Sequence, residues 1–479
     1  MVRNPRETFG SRIGMLLAMA GSAIGLGNIW RFPYTMGKNG GAAFLLIYVI
    51  MLLVICLPVM ISEYLIGRRG GSNPFRTFDR LAPGSKWRWM GFIAVLASAC
   101  ILSFYCVVGG WSVKYLDDAC SGRLMGYEGD YAQFFGSFIS SPWKPLVYTM
   151  LFLGMTGLII AFGVRKGIER MSKIMISVLF VIIVLVVIRS LSLPGAIDGV
   201  RYMFVPDFSK VTADTCIAAM GQAFFSLSIG CGTILTYASY VHKDENIAAS
   251  SAWIAFFDTA FAVIAALAII PAVYAIALMN GVDPDVSAGP GLVFITLPGV
   301  FQSMPLGGLA AVLFFLALLL AAITSAISLM EVVVAFIIEE LHRSRMRAVL
   351  LSFLLCGVVG VFCSLSFGPL DGFTLFGLSV FDFFDYITSN IMLPIGGLLL
   401  AVFAGWKLKR ANYLDELTNS GSLKLPHWLA LSIYYLVKLV APLAISLIFL
   451  NCFLSLFHSG TYEIEVTFCL VPYCPVPVK

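Results

Sequence analysis

Charge is what this chain is short of. Asp, Glu, Lys and Arg make up 12% of its 479 residues, about half the share of an ordinary soluble domain. So few charges cannot cover a water-facing surface, which excludes a soluble multi-domain enzyme. Histidine is scarce as well. His242, His342, His427 and His458 each stand at the end of an apolar run with no nucleophile beside them, so no catalytic constellation forms and the chain does not read as an enzyme. The 11 cysteines show no metal-ligand spacing. Cys56, Cys100, Cys106, Cys356, Cys363 and Cys452 lie inside apolar runs, where cysteine behaves as a small apolar residue. Only Cys469 and Cys474, in the final tail, are placed to pair. No secretory leader is expected, since Gly14–Trp30 runs into Arg31-Phe32-Pro33 without a small-residue cleavage site. The 44 glycines and 21 prolines follow no period, which excludes a collagen-like chain.

What the chain has instead is apolar length. It is 59% hydrophobic, with mean hydropathy +0.93, the composition of a polytopic membrane protein. A span needs about 20 mostly apolar residues. That length recurs eleven times, near 12–36, 42–67, 90–116, 145–163, 171–190, 215–241, 247–279, 307–338, 347–366, 374–405 and 428–457. The Pro- and Gly-rich stretch 283–308 fits a structured loop or a re-entrant hairpin. The net charge of +5 forms no nucleic-acid patch, because 21 of the 31 Lys and Arg fall on one alternate set of span ends. Those ends are cytoplasmic by the positive-inside rule, and so is the N-terminus. Trp87, Trp89, Trp143, Trp406 and Trp428 stand at span ends as an aromatic belt would. The chain is expected in the inner (plasma) membrane, with the tail 458–479 outside.

Two spans are poor helices. The first carries Gly21, Gly25, Gly27 and Asn28 at mid-depth, and the sixth carries Ser226, Ser228, Gly230 and Gly232. Close packing through small residues explains one such span. Two of them, each opening a set of five spans, point to inverted repeats with a site at the midplane.

The residues Gly21-Ser22-Ala23-Ile24-Gly25-Leu26-Gly27-Asn28-Ile29-Trp30-Arg31-Phe32-Pro33-Tyr34, with Asn39-Gly40-Gly41, resemble the neurotransmitter:sodium symporter family. The likeness is to its bacterial amino-acid members, of the LeuT and MhsT kind. Gly221-Gln222-Ala223-Phe224-Phe225-Ser226-Leu227-Ser228 and Thr236-Tyr237-Ala238-Ser239-Tyr240 resemble its sixth helix, and the likeness runs over residues 6–457. It implies an all-α LeuT-like fold of five plus five inverted-repeat helices, with helices 1 and 6 broken, and eleven helices in all. The implied divisions are a cytoplasmic gate segment 1–11, a first repeat 12–213 and a second repeat 214–405. A cytoplasmic loop with helix 11 at 406–457 and an extracytoplasmic tail 458–479 follow.

The resemblance also implies a site. A first sodium would be held by the Ala23 carbonyl, Asn28, Ser226, Asp258 and the substrate's carboxylate. A second would meet the carbonyls of Gly21, Ile24 and Ala321 and the hydroxyls of Thr324 and Ser325. Read alone, Thr324 and Ser325 are as well explained by back-bonding to their own helix. Asp258 stands in an apolar run, where a carboxylate is a functional hypothesis by default. Chloride-dependent relatives hold the anion at positions matching Tyr48, Gln222 and Ser226, with a serine where this chain has Ala262. Asp258 would stand in for that anion, so transport is expected to be chloride-independent.

Substrate class turns on Gly25, where monoamine members carry Asp. Glycine leaves room for a substrate that brings its own carboxylate, bound at the Leu26 and Gly27 amides and the Tyr105 hydroxyl. The amine would meet the carbonyls of Ala23, Phe225 and Ser226 and the Ser228 hydroxyl. Ile101, Phe225, Cys231, Ser325 and Leu329 would line an uncharged side-chain pocket. The outer gate would pair Arg31 with Asp385 under lids Tyr105 and Phe225. The inner gate would pair Arg6 with Glu339, near Phe9, Ser239, Tyr240 and Glu331. Glu63 would bond amides freed at the sixth helix, and Lys438 reads as a snorkelling or partner-facing residue. Many relatives carry proline where this chain has Ser177, so the fifth-helix unwinding they use for sodium release lacks its proline here. The expected function is uptake of a neutral, apolar or aromatic α-amino acid coupled to co-transported sodium, two ions by resemblance, with no other cofactor. The rival is a sensor that binds amino acid without transporting it.

Overall fold

The computed structural model describes residues 7–284, 292–423 and 425–458. The Arg6 half of the expected inner gate, most of the tail 458–479 and the pair Cys469 and Cys474 therefore lie outside the described residues.

The first apolar run is two helices, α1 (Arg12–Ala23) and α2 (Gly27–Lys38), bent by 52° at the residues between them. Ser11 opens α1 by accepting from the Gly14 amide, one of the four donors a helix start leaves over. Ile24 ends it in extended conformation. Next come α3 (Ala42–Gly70), α4 (Arg88–Cys120), α5 (Lys144–Ala161) and α6 (Val164–Leu191).

The sixth run is also two helices, α7 (Ala213–Ser226) and α8 (Thr233–Ala238). Thr212 and Thr215 form a reciprocal capping box at the start of α7. Then follow α9 (Ile247–Asn280), a short apolar helix α10 (Leu292–Gln302), α11 (Gly307–Glu340), α12 (Arg345–Leu365) and α13 (Val380–Lys407). The short helix α14 (Arg410–Leu417) leads to α15 (His427–Leu447). A two-residue hairpin pairing Thr374 with Ser379 precedes α13.

Among the described residues nine helices are long and apolar enough to cross a membrane, and the bent pair α1–α2 makes a tenth. Of the eleven expected spans, the sixth, 215–241, falls short by that measure. Its unwound middle leaves pieces of 14 and 6 residues. The stretch expected as loop or hairpin contributes α10, an apolar helix too short to cross.

The long helices α4 and α11 pack along each other at the centre, with Phe104, Trp111, Phe315 and Ile327 buried. Helices α1 and α8 sit against α11, and the residues at both breaks are largely buried in protein, the condition for non-helical backbone at membrane depth. The ends on the face where α1 begins are tied together by polar contacts. Arg68, at the end of α3, donates to Glu416 Oε1 at 2.7 Å, to the Glu416 carbonyl at 2.7 Å and to the Glu245 carbonyl at 2.6 Å.

Gly67 seats α3 on α8. A Cβ there would press on the Leu235 carbonyl and come within 2.8 Å of Leu235 Cα and 2.9 Å of Ala238 Cβ. Gly67→Ala should destabilise the fold by about 1–3 kcal/mol through overpacking, seen as a lower melting temperature of the detergent-solubilised chain.

Candidate functional site

Each helix break frees backbone groups, and several of them are met by side chains. At the first break, the Gly25 amide donates to Asn28 Oδ1 at 3.0 Å and the Leu26 amide to the Tyr105 hydroxyl at 3.2 Å. At the second, the Gly230 amide donates to Glu63 Oε2 at 3.2 Å, as expected of Glu63, and Ser98 donates to the Cys231 carbonyl at 2.6 Å. Ser228 takes up φ of 52°, and Gly230 and Gly232 take 88° and 80°. For serine that region costs about 1–2 kcal/mol, and such strain collects at functional sites.

A cavity lies between the two breaks. Its lining contains all twelve residues expected to bind substrate: Ala23, Gly25, Leu26, Gly27, Ile101, Tyr105, Phe225, Ser226, Ser228, Cys231, Ser325 and Leu329. Ser22 and Leu393 line it too. Ser22 is a plain neighbour of Gly21 in sequence, and Leu393 one leucine in an apolar run, so neither carried a signal. The polar groups gather where the helices part, while Ile101, Leu329, Leu393 and Cys231 leave the rest uncharged. The Ser228 hydroxyl donates to the Ser22 carbonyl at 3.3 Å, and the Phe225 carbonyl accepts from the Ser228 amide at 3.0 Å.

Two oxygen clusters flank the cavity. In one, Ser226 Oγ lies 2.9 and 2.7 Å from the two Asp258 carboxylate oxygens. Asn28 Nδ2 donates to Asp258 Oδ1 at 2.7 Å and sits 3.3 Å from Ser226 Oγ. All three side chains are buried. A buried carboxylate costs several kcal/mol unless it is paired or hydrogen-bonded, and α2 and α7 supply those bonds.

In the other cluster, Thr324 Oγ1 lies 3.3 Å from the Ile24 carbonyl and 2.9 Å from that of Ala321. Ser325 Oγ lies 3.5, 3.3 and 3.3 Å from the carbonyls of Gly21, Ser22 and Ile24. The hydroxyls thus reach across to α1 as well as back along α11. This second cluster is built of neutral oxygens alone, hydroxyls and carbonyls.

On one side of the cavity, the Arg31 guanidinium stacks 4.4 Å from the Phe225 ring centroid. Arg31 and Asp385 are both buried, and Asp385 accepts from Ser389 Oγ at 3.1 Å. On the α1-start side, Phe9 packs edge-on against Tyr237 and Tyr240, and its amide donates to the Tyr240 carbonyl at 3.2 Å. Tyr240 donates to Glu331 Oε1 at 2.7 Å. Ser239 bonds back to the Thr236 carbonyl.

The cation on Glu331 is Arg345, at 2.7 Å. Arg345 also donates to the Ile160 carbonyl at 2.7 Å and lies 3.7 Å from Glu7. Sequence reading missed both residues, since each looked like an ordinary charge near a span end. Glu339 accepts from Ser72 Oγ at 2.5 Å and from the Asn73 amide at 3.0 Å, and its expected partner Arg6 lies outside the described residues. These donors come from the turn after α3.

Comparison with known proteins follows the same lines. The model of the sodium:neurotransmitter symporter family matches residues 6–129 and 139–469. An uncharacterized sodium-dependent transporter of Bacillus subtilis (strain 168), YhdH, is 40% identical over 445 residues, covering 92% of this chain and 96% of its own. The sodium-dependent dopamine transporter of Bos taurus is 27% identical over 457 residues, 84% of this chain and 63% of that one. A crystal structure of MhsT in complex with L-phenylalanine superposes with TM-score 0.85 at 42% identity, covering 93% of this chain and 99% of that chain. The two helix breaks, the cavity between them and these matches agree: the chain belongs to the sodium:neurotransmitter symporter family.

Proposed function

We propose that the chain is a symporter that carries a neutral, hydrophobic or aromatic α-amino acid into the cell together with sodium, by alternating access. The observation that carries this reading is the cavity at the two breaks, uncharged along one wall and flanked by two oxygen clusters. MhsT, 42% identical, has been crystallised with L-phenylalanine, a ligand of that class. The substrate's carboxylate would lie at the Leu26 and Gly27 amides and Tyr105, its amine at the carbonyls of Ala23, Phe225 and Ser226 with the Ser228 hydroxyl. Its side chain would lie among Ile101, Cys231 and Leu329.

One sodium would sit among Ala23, Asn28, Ser226, Asp258 and the substrate carboxylate. A second would sit among Gly21, Ile24, Ala321, Thr324 and Ser325. Each charge crossing the membrane is worth about 2.3 kcal/mol per 100 mV, so two sodium ions with a zwitterion make uptake electrogenic. The N-terminus would be cytoplasmic, in the inner membrane. Arg31 on Phe225 would close the outer side. Phe9, Tyr240, Glu331 and Arg345 would close the inner one.

Chloride independence rests on Asp258. At the positions where chloride-dependent relatives hold the anion, Ser226 bonds Asp258 and Gln222 Nε2 donates to the Gly27 carbonyl at 3.4 Å. Tyr48 and Ala262 there are buried. The carboxylate supplies the negative charge an anion would bring.

Three outcomes are expected. Asp258→Ala should lower sodium-dependent binding of labelled leucine or phenylalanine by about ten- to hundred-fold, the range for losing a metal-site partner. Equal binding in sodium and potassium by the unaltered protein would sink the reading. Gly25→Ala should lose about 1–3 kcal/mol of affinity by overpacking, since a Cβ there would run into Ser325 Oγ and lie 3.1 Å from the Tyr105 hydroxyl. Isothermal titration with each amino acid measures it. In proteoliposomes, counterflow of labelled amino acid should proceed at the same rate when gluconate replaces chloride. Binding without counterflow would instead mark a sensor.

A further inference from the structure

Lys438 falls well inside the last candidate span in sequence, yet the structure brings it level with Trp406 at the end of α13. Two π-helical turns, Phe403–Lys407 and Leu436–Val440, pack together at this crossing of α13 and α15. Trp406 Nε1 donates to the Lys438 carbonyl at 3.0 Å, and the Tyr434 hydroxyl donates to the Gly405 carbonyl at 2.9 Å. Only glycine permits the approach, because a Cβ on Gly405 would lie 2.7 Å from Lys438 Cα. Paired π-turns held by reciprocal side-chain bonds are a built feature, and such turns mark functional sites more often than chance.

The Lys438 ammonium rests over two rings, 5.1 Å from the Trp406 centroid and 5.8 Å from that of Tyr434. One ring further on, the Arg410 guanidinium lies 5.7 Å from the Tyr435 centroid and 3.4 Å from its hydroxyl. Tyr434 and Tyr435 are themselves in edge contact, centroids 5.5 Å apart, so one aromatic pair joins the two cations. Neither cation has a carboxylate within salt-bridge distance among the described residues. Ring faces satisfy charge but accept few hydrogen bonds, and the two groups carry three and five donors. Trp406, 64% exposed, stands at the end of α13 with Lys407, Lys409 and Arg410 directly after it, the residue types of a belt at headgroup depth.

We propose that the α13–α15 crossing binds the headgroup of an anionic phospholipid. Its phosphodiester oxygens would bridge Lys438 and Arg410, and its glycerol backbone and upper acyl carbons would lie on Trp406 and Tyr435. Basic pockets between transmembrane helices take anionic headgroups in this way. A zwitterionic lipid brings its own cation to faces that Lys438 and Arg410 already occupy, so the site selects for net negative charge.

The test is native mass spectrometry of the full-length, detergent-purified chain with phosphatidylglycerol or phosphatidylcholine of identical acyl chains. The unaltered protein should retain phosphatidylglycerol adducts preferentially. Lys438→Gln and Arg410→Gln should each lower that retention about five-fold, the worth of one surface cation, while Lys438→Arg keeps it. Phosphatidylcholine adducts and monodisperse elution should be the same in every variant, which separates loss of the site from loss of the fold. Arg410 is exposed on a short surface helix, so its variant stays informative if Lys438→Gln misfolds. Equal retention of the two lipids, or full phosphatidylglycerol retention by both glutamine variants, overturns the proposal. So does displacement of the lipid by millimolar inorganic phosphate, which would mark a free-anion site.

Discussion

In a bilayer, a backbone amide or carbonyl without a partner costs several kcal/mol, and the rest of this structure depends on how that constraint is met at two places. Opening α1–α2 and α7–α8 frees backbone groups, several of which other helices satisfy. Tyr105 on α4, Glu63 on α3, Ser98 on α4, and Thr324 and Ser325 on α11 all serve this purpose. Each of these side chains is buried, so the breaks fix the positions of their neighbours as firmly as the neighbours fix the breaks. The cavity is what remains between the ends so held.

The two oxygen clusters differ in kind. Around Asp258 the bonds are short and charge-assisted, 2.7–2.9 Å from Asn28 and Ser226, and such bonds are roughly twice as strong as neutral ones. Around Thr324 and Ser325 most contacts across to α1 are 3.3–3.5 Å and neutral. A cluster of that second kind resists rearrangement less. The charged network of Glu7, Glu331 and Arg345 lies on the side where α1 begins.

Local irregularity recurs wherever helices must approach closely. Gly67 lets α3 seat on α8, and Gly405 lets α13 seat on α15. Both sites carry backbone-to-backbone contact that a single methyl would break. At Gly405 the π-helical turns of α13 and α15 meet, with Trp406 Nε1 bonded to the Lys438 carbonyl.

Composition and span length, read from residues alone, establish a multi-pass helical membrane protein, because 12% charge leaves no other way to fold. Glycine, asparagine and serine in two apolar runs mark where helices cannot continue, since their backbone preferences are local. The lining of the cavity was legible only through the family likeness, as Ile101, Cys231 and Leu329 are ordinary apolar residues on separate helices. Ser22 and Leu393 in that lining, and Arg345 on Glu331, were not legible at all. Each depends on which helix faces which, and a charge at a span end looks the same whether it faces lipid headgroups or a buried carboxylate. The sequence determined that two helices break, and roughly where. Tertiary structure decided which side chains answer the freed backbone groups, because a partner far away in sequence comes within hydrogen-bond reach only once the helices have packed.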